Sequence, residues 1–138
     1  MDWDTPLGVI RIAGEHANQH KGEFLLLIDL GGDDTYIDVG SGLTPGQISV
    51  VVDLAGNDHV AWSQSAGPGS GVLGMGIWMD LQGNDKYTGG NQGLGASLFG
   101  AGIFWDEEGD DIYVAGFLSH GVGQYGVGAF VDFEGEDR

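Results

Sequence analysis

Apolar residues alternate with small or polar ones in five runs along this chain, and each run ends in an aspartate. Counting back by odd numbers from Asp29, Asp53, Asp80, Asp106 and Asp132 reaches Ile28, Leu26 and Phe24; Val52, Val50 and Ile48; Met79, Ile77 and Met75; Trp105, Ile103 and Ala101; and Val131, Ala129 and Val127. Every one is apolar. A period of two is that of a strand with one face in a core, so this set is expected to face inward. The alternate positions change along the chain. The last three runs read Gly74, Gly76, Trp78, Asp80; Gly100, Gly102, Phe104, Asp106; and Gly126, Gly128, Phe130, Asp132, where the first two offer Glu23, Leu25, Leu27 and Gln47, Ser49, Val51. Glycine is a poor strand residue, and its repeated use implies close approach by a backbone or a ring.

Each run leads into a motif: "IDLGGDDTY", "VDLAGNDHV", "MDLQGNDKY", "WDEEGDDIY" and "VDFEGED" all spell Asp-x-x-Gly-x-Asp. From Asp29 to Asp53, Asp80, Asp106 and Asp132 the spacings are 24, 27, 26 and 26 residues. A fixed period of this size predicts a solenoid. It is too short for a four-stranded propeller blade of about 40–45 residues. A short strand follows each turn, beginning near Tyr36, Val60, Tyr87 and Tyr113, and then a Gly-rich return. Helical patterns are nearly absent, and "GEHANQHKGE" reads as a polar loop. The expected fold is all-β, a parallel β-helix or β-solenoid of about five coils with a 24–27-residue repeat, in a single domain over residues 1–138. Residues 1–22 form a partial N-terminal coil and the polar loop. The fifth motif stops at Arg138, inside a repeat, so its open strand edge is expected to support self-association.

Composition narrows the partners. The formal charge is −17, with Arg11, Lys21, Lys86 and Arg138 the only fixed cations, which disfavours nucleic acid and anionic membranes. No apolar run approaches the ~20 residues of a membrane helix, so membrane insertion is not expected. With no cysteine, neither disulfides nor thiolate metal sites can form.

In a solenoid, equivalent residues stack at ~4.8 Å. Two carboxylate ladders then run side by side: Asp29, Asp53, Asp80, Asp106, Asp132 and Asp34, Asp58, Asp85, Asp111, Asp137. Repulsion costs about 1 kcal/mol per neighbouring pair in water and several times that at lower dielectric. The intervening positions, Asp33, Asn57, Asn84, Asp110 and Glu136, carry oxygen too. Calcium takes 6–8 oxygens and tolerates sharp glycine turns around it. Several calcium ions between coils, held by these ten aspartates, are therefore expected. The competing reading is that Asp and Gly only cap turns through bonds to backbone amides.

The fragments "GGDDTY", "GNDHV", "GNDKY" and "GDDIY" resemble the Gly-x-Asp-x-apolar half of the RTX nonapeptide, whose calcium ions lie between turns of a parallel β-roll. The resemblance covers about five residues per repeat and departs in period, which in RTX proteins is nine residues. It implies one calcium-type turn per large coil. The long unit is also similar to Gly/Asp-rich repeats of large, uncharacterised bacterial secreted proteins, which brings no activity with it.

Other candidates are weaker. His16 and His20 have the i, i+4 spacing of a helical zinc pair but no third ligand, and they are expected to be exposed. His59 sits beside a turn and reads as a surface residue. Gln64, Gln92 and His120 fall at matching points of three returns as a possible polar ladder. Trp78, Phe104 and Phe130 form either an outward aromatic shelf suited to sugar rings or a stripe lying on glycines under a return segment. No nucleophile triad or phosphate loop is present, and the repeat breaks only around His59, Trp62 and "SQSAGPGSG". The four threonines form no flat ladder for ice. The resulting expectation is a non-enzymatic, calcium-stabilised structural or binding module of a secreted or surface protein. Its alternative is a β-helix that binds or cleaves polysaccharide along the aromatic and aspartate face.

Overall fold

A computed structural model describes residues 1–63 and 65–138. In chain order the strands are β1 (Asp2–Thr5), β2 (Gly8–Ile12), β3 (Gln19–Lys21), β4 (Leu26–Asp29), β5 (Thr35–Ile37), β6 (Ile48–Asp53), β7 (His59–Ala61), β8 (Met75–Asp80), β9 (Lys86–Thr88), β10 (Ser97–Leu98), β11 (Ala101–Asp106), β12 (Ile112–Val114), β13 (Gly123–Gln124) and β14 (Val127–Asp132). The main sheet runs β1-β2-β4-β6-β8-β11-β14, and the second runs β12-β9-β7-β5-β3. A third, narrow face is built from Gly42, Gly71, β10 and β13. All pairings are parallel except that of β1 with β2. The chain is an all-β parallel solenoid.

About four complete turns result, fewer than the five expected. The first rung, β2–β3, has no third face. It passes from Lys21 to Leu26 directly, so Ile10 lies beside Leu26 and Gln19 beside Thr35. The last motif contributes only the main-sheet strand β14. The polar loop expected before residue 22 contains β3, and β1 folds back antiparallel to cover β2.

Strand parity corrects the expected core. The inner column of the main sheet is Leu27, Val51, Trp78, Phe104 and Phe130, in register across successive strands. Leu27, Val51, Trp78 and Phe104 are fully buried. The apolar set at odd offsets from each aspartate, Phe24 apart, points outward and is half-buried or exposed. Glycine supplies the physical reason. A Cβ on Gly76 would lie 2.2 Å from the Ser70 carbonyl oxygen, and one on Gly102 would lie 2.2 Å from that of Ala96. The return backbone therefore passes directly over the glycine face, which must be the inside.

Facing that column from the second sheet stand His20, Tyr36, Val60, Tyr87 and Tyr113. Tyr87 stacks on Tyr113 at 5.2 Å and meets Phe104 edge-on at 4.9 Å. Phe104 in turn stacks on Phe130 at 5.2 Å. Trp78 and Phe104 are thus core residues, and the outward sugar-binding shelf does not form. Phe130, at the last rung, is half-buried in the same column.

Candidate metal centre

Each of the first four Asp-x-x-Gly-x-Asp turns joins a main-sheet strand to a second-sheet strand. Its first Asp ends one strand two residues after a core side chain, as Asp29 follows Leu27. Its second Asp precedes the next strand by the same parity, as Asp34 precedes Tyr36. Both carboxylates therefore point into one inner corner. Asp29, Asp34, Asp53, Asp58, Asp80, Asp85, Asp106 and Asp111 are all buried. The turn glycines let the coils close: a Cβ on Gly83 would meet the Gly56 carbonyl oxygen at 1.8 Å.

The second Asp of each turn accepts a backbone N–H from the coil before it. Asp34 N–H donates to Asp58 Oδ1 (2.8 Å), Asp58 N–H to Asp85 Oδ1 (2.6 Å), Asp85 N–H to Asp111 Oδ1 (2.6 Å) and Asp111 N–H to Asp137 Oδ1 (2.9 Å). Asn18 N–H donates to Asp34 Oδ1 in the same way. In the first two turns the first Asp also caps its own turn, Asp29 Oδ1 accepting from Gly31 N–H at 3.1 Å and Asp53 Oδ1 from Ala55 N–H at 3.0 Å. Oδ2 of the first Asp accepts a tyrosine hydroxyl in three turns: Tyr87 to Asp80 Oδ2 at 2.7 Å, Tyr113 to Asp106 Oδ2 at 3.0 Å, and Tyr36 to Asp53 Oδ2. The intervening residues form a separate exposed ladder. There Asn84 N–H donates to Asn57 Oδ1 (3.0 Å) and Asp110 N–H to Asn84 Oδ1 (2.8 Å).

Ligand-type atoms then converge in five groups, all within 4.8 Å of one another in each: His20, Asp29, Asp34; Asp34, Asp53, Asp58; Asp58, Asp80, Asp85; Asp85, Asp106, Asp111; and Asp111, Asp132, Asp137. All ten expected aspartates fall in these groups, and the second Asp of four turns is shared by consecutive groups. Four groups are wholly buried, while in the last Asp132 is half-buried and Asp137 exposed. Turn capping therefore does not account for all of these oxygens. Asp34 Oδ2, Asp58 Oδ2 and Asp80 Oδ1 are buried with no hydrogen-bond partner.

Among the described residues no Lys or Arg reaches this corner. Arg11 pairs with Asp2 at 2.6 Å, and inside the corner His20 Nε2 lies 2.6 Å from Asp29 Oδ2. Burial, reinforced by neighbouring carboxylates, raises the pKa of Asp34 to about 6 and those of Asp85 and Asp106 to about 7. Burial and the neighbouring Asp53 carboxylate raise Asp58 to about 10. Asp53, Asp80, Asp111 and Asp132 are raised by burial as well. Burial and the same charges push Tyr36, Tyr87 and Tyr113 upward, so their hydroxyls stay donors. Such a corner binds either protons or cations.

His20, expected to be exposed, is buried in β3, where it holds the Tyr36 position of the preceding rung. Its signal was hidden because Asn18 and Asp34 are 16 residues apart, outside the longer period. His16 and His59 are exposed as expected. Gln64 lies outside the described residues. Gln92 and His120 do not share a rung position: Gln92 N–H donates to Phe117 O (2.9 Å), whereas Gly121 N–H donates to Leu94 O (3.0 Å), placing His120 level with Leu94. Trp62 lines a cavity of about 220 Å³ with Lys21, Glu23, Asp38, Ser41 and Ser49. Phe99 and Tyr125 form an exposed aromatic pair that the sequence pattern did not single out. The two stack at 5.0 Å, so each ring covers a face of the other.

No family model, curated protein or solved structure matches this chain.

Proposed function

We propose that this chain is a calcium-stabilised β-solenoid module that serves a secreted or surface protein as a structural element or binding platform. The observation that carries the reading is the set of buried carboxylate oxygens without partners, Asp34 Oδ2, Asp58 Oδ2 and Asp80 Oδ1, inside groups that no protein cation reaches. Uncompensated charge in a dry corner costs several kcal/mol per ion, and a divalent cation removes that cost for two coils at once. Four of the groups are all-oxygen, the donor chemistry of calcium. Magnesium keeps several waters in a strict octahedron, which a closed corner of this kind accommodates poorly. Calcium at the weak end of its range is filled outside cells, hence the proposed extracellular setting. The polysaccharide reading loses its main support with Trp78 and Phe104 in the core.

The test is calcium content and thermal unfolding after exhaustive chelation and after calcium is restored. Bound calcium in several equivalents and a melting temperature that rises with it are expected. At a hundredfold excess over its dissociation constant, each independent site adds about 2.7 kcal/mol. No retained calcium together with an unchanged melting temperature would refute the reading.

A further inference from the structure

We infer that the first group, His20 with Asp29 and Asp34, is a site for a first-row transition-metal dication such as zinc, distinct in selectivity from the all-oxygen groups that follow. This rests on the corner being a cation site at all.

Two ladder positions change together at this rung. Tyrosine gives way to His20, whose ring stacks on Tyr36 at 4.8 Å with 28° between planes. The second Asp gives way to Asn18, whose side-chain amide turns away to donate to the Gly14 carbonyl at 3.1 Å and to that of His16. The group therefore trades a carboxylate for an imidazole. Its ligand set is one nitrogen and two carboxylates, against three carboxylates in each later group. Calcium affinity follows the number of charged oxygens, and imidazole is a poor calcium ligand. Imidazole with carboxylates suits zinc and its neighbours, and three protein ligands leave a position for water.

A purely structural histidine fits less well. His20 Nε2 lies 2.6 Å from Asp29 Oδ2, which satisfies those two atoms. It leaves His20 Nδ1 and Asp34 Oδ2 buried without partners, although His20 is only 2% exposed. Tyrosine at this position would have satisfied Asp29 with no second nitrogen to bury. Among the described residues no other histidine belongs to a group of potential ligands.

The probe is cobalt(II), added to the whole calcium-loaded chain in excess calcium and then passed through gel filtration. About one equivalent of cobalt is expected to remain, with X-ray absorption at the cobalt edge showing imidazole scattering. His20→Tyr, which extends the existing tyrosine ladder, is expected to keep its calcium and lose the cobalt, and His20→Gln serves if the tyrosine variant does not fold. Displacement of cobalt by calcium, retention of cobalt in the folded variant, or a cobalt spectrum without imidazole would each overturn the inference while leaving the calcium reading intact. Cobalt held through His20 in a chain that binds no calcium would uphold this site and refute the reading of the others. A chain that retains neither metal refutes both.

Discussion

Tyr36 donates its hydroxyl to Asp53 of the following coil, whereas Tyr87 donates to Asp80 of its own coil, at 2.7 Å. The switch has a local cause. Val60 occupies the tyrosine position of the Asp53 coil and has no hydroxyl, so Asp53 depends on its neighbour. Tyr36→Phe should accordingly destabilise the metal-free chain by about 1.5–3 kcal/mol, the range for a hydrogen bond to a charged group. Tyr113→Phe should cost less, because Tyr113 is only half-buried. Urea unfolding of the two variants orders them, and equal losses would contradict the assignment.

Val60 is also matched to a large neighbour. Trp78 meets Tyr36 at 5.0 Å and Tyr87 at 6.2 Å, the residues on either side of Val60 in the second sheet. Val60→Tyr alone should overpack this layer and cost about 1–3 kcal/mol. Combined with Trp78→Phe it should cost less than the sum of the single changes. Additive free energies in the double-mutant cycle would show that the two side chains do not share space.

Without metal, stability should fall as pH rises. An unfolded aspartate ionises near pH 4, but the folded chain holds protons up to about 6 on Asp34, about 7 on Asp85 and Asp106, and about 10 on Asp58. Between those limits the folded state binds more protons than the unfolded state, which makes the slope of stability against pH negative. The contribution is complete below about pH 4 and is lost progressively through pH 7 and beyond. The chelated chain should therefore unfold at a lower urea concentration at pH 8 than at pH 5. Calcium competes with these protons, so its stabilisation should grow over the same interval and its binding should release protons measurable by calorimetry in buffers of different ionisation enthalpy.

Asp85→Asn and Asp110→Asn separate the inner ladder from the outer one. Asp85 belongs to two groups, whereas Asp110 sits in the exposed amide ladder that Asn57 and Asn84 already share. Asp85→Asn should lower calcium content and remove about 2.7 kcal/mol of calcium-dependent stability for each site lost at a hundredfold excess. Its metal-free form should be no less stable than the parent, since a repelling charge is gone and an acceptor for Asp58 N–H remains. Asp110→Asn should change neither quantity. Identical calcium titrations for the two variants would rule out the inner corner as the metal centre.

Gly83→Ala should destabilise by at least about 1–3 kcal/mol. The cause is steric: a Cβ would lie 1.8 Å from the Gly56 carbonyl oxygen and 2.8 Å from Asp85 Oδ1. Gly83 does not adopt a left-handed conformation, so backbone strain contributes nothing there. Gly14→Ala, where nothing lies within 4 Å, should be neutral. Thermal melts of both variants decide between stacking and a general intolerance of side chains.

The repeat, the strands on either side of each aspartate turn and the two aspartate ladders were legible in the sequence, because period and parity are one-dimensional properties of a chain. The same periodicity puts the ten aspartates in register. What it left undecided was which face is inside. Both faces of the main sheet carry apolar columns, Ile28-Val52-Met79-Trp105-Val131 on one and Leu27-Val51-Trp78-Phe104-Phe130 on the other, so hydrophobicity alone does not choose between them. The choice falls to the return segments, whose carbonyls press on Gly76 and Gly102 and allow no side chain there. Closure of the coil over that face buries Trp78 with the carboxylates and turns the other column outward. His20 depended on tertiary structure in the same way. The 16-residue first rung lacks a third face, and only the parallel pairing of Gln19 with Thr35 carries the imidazole to Asp29. Sequence spacing determined which residues repeat, and the path of the backbone in space decided which of them meet.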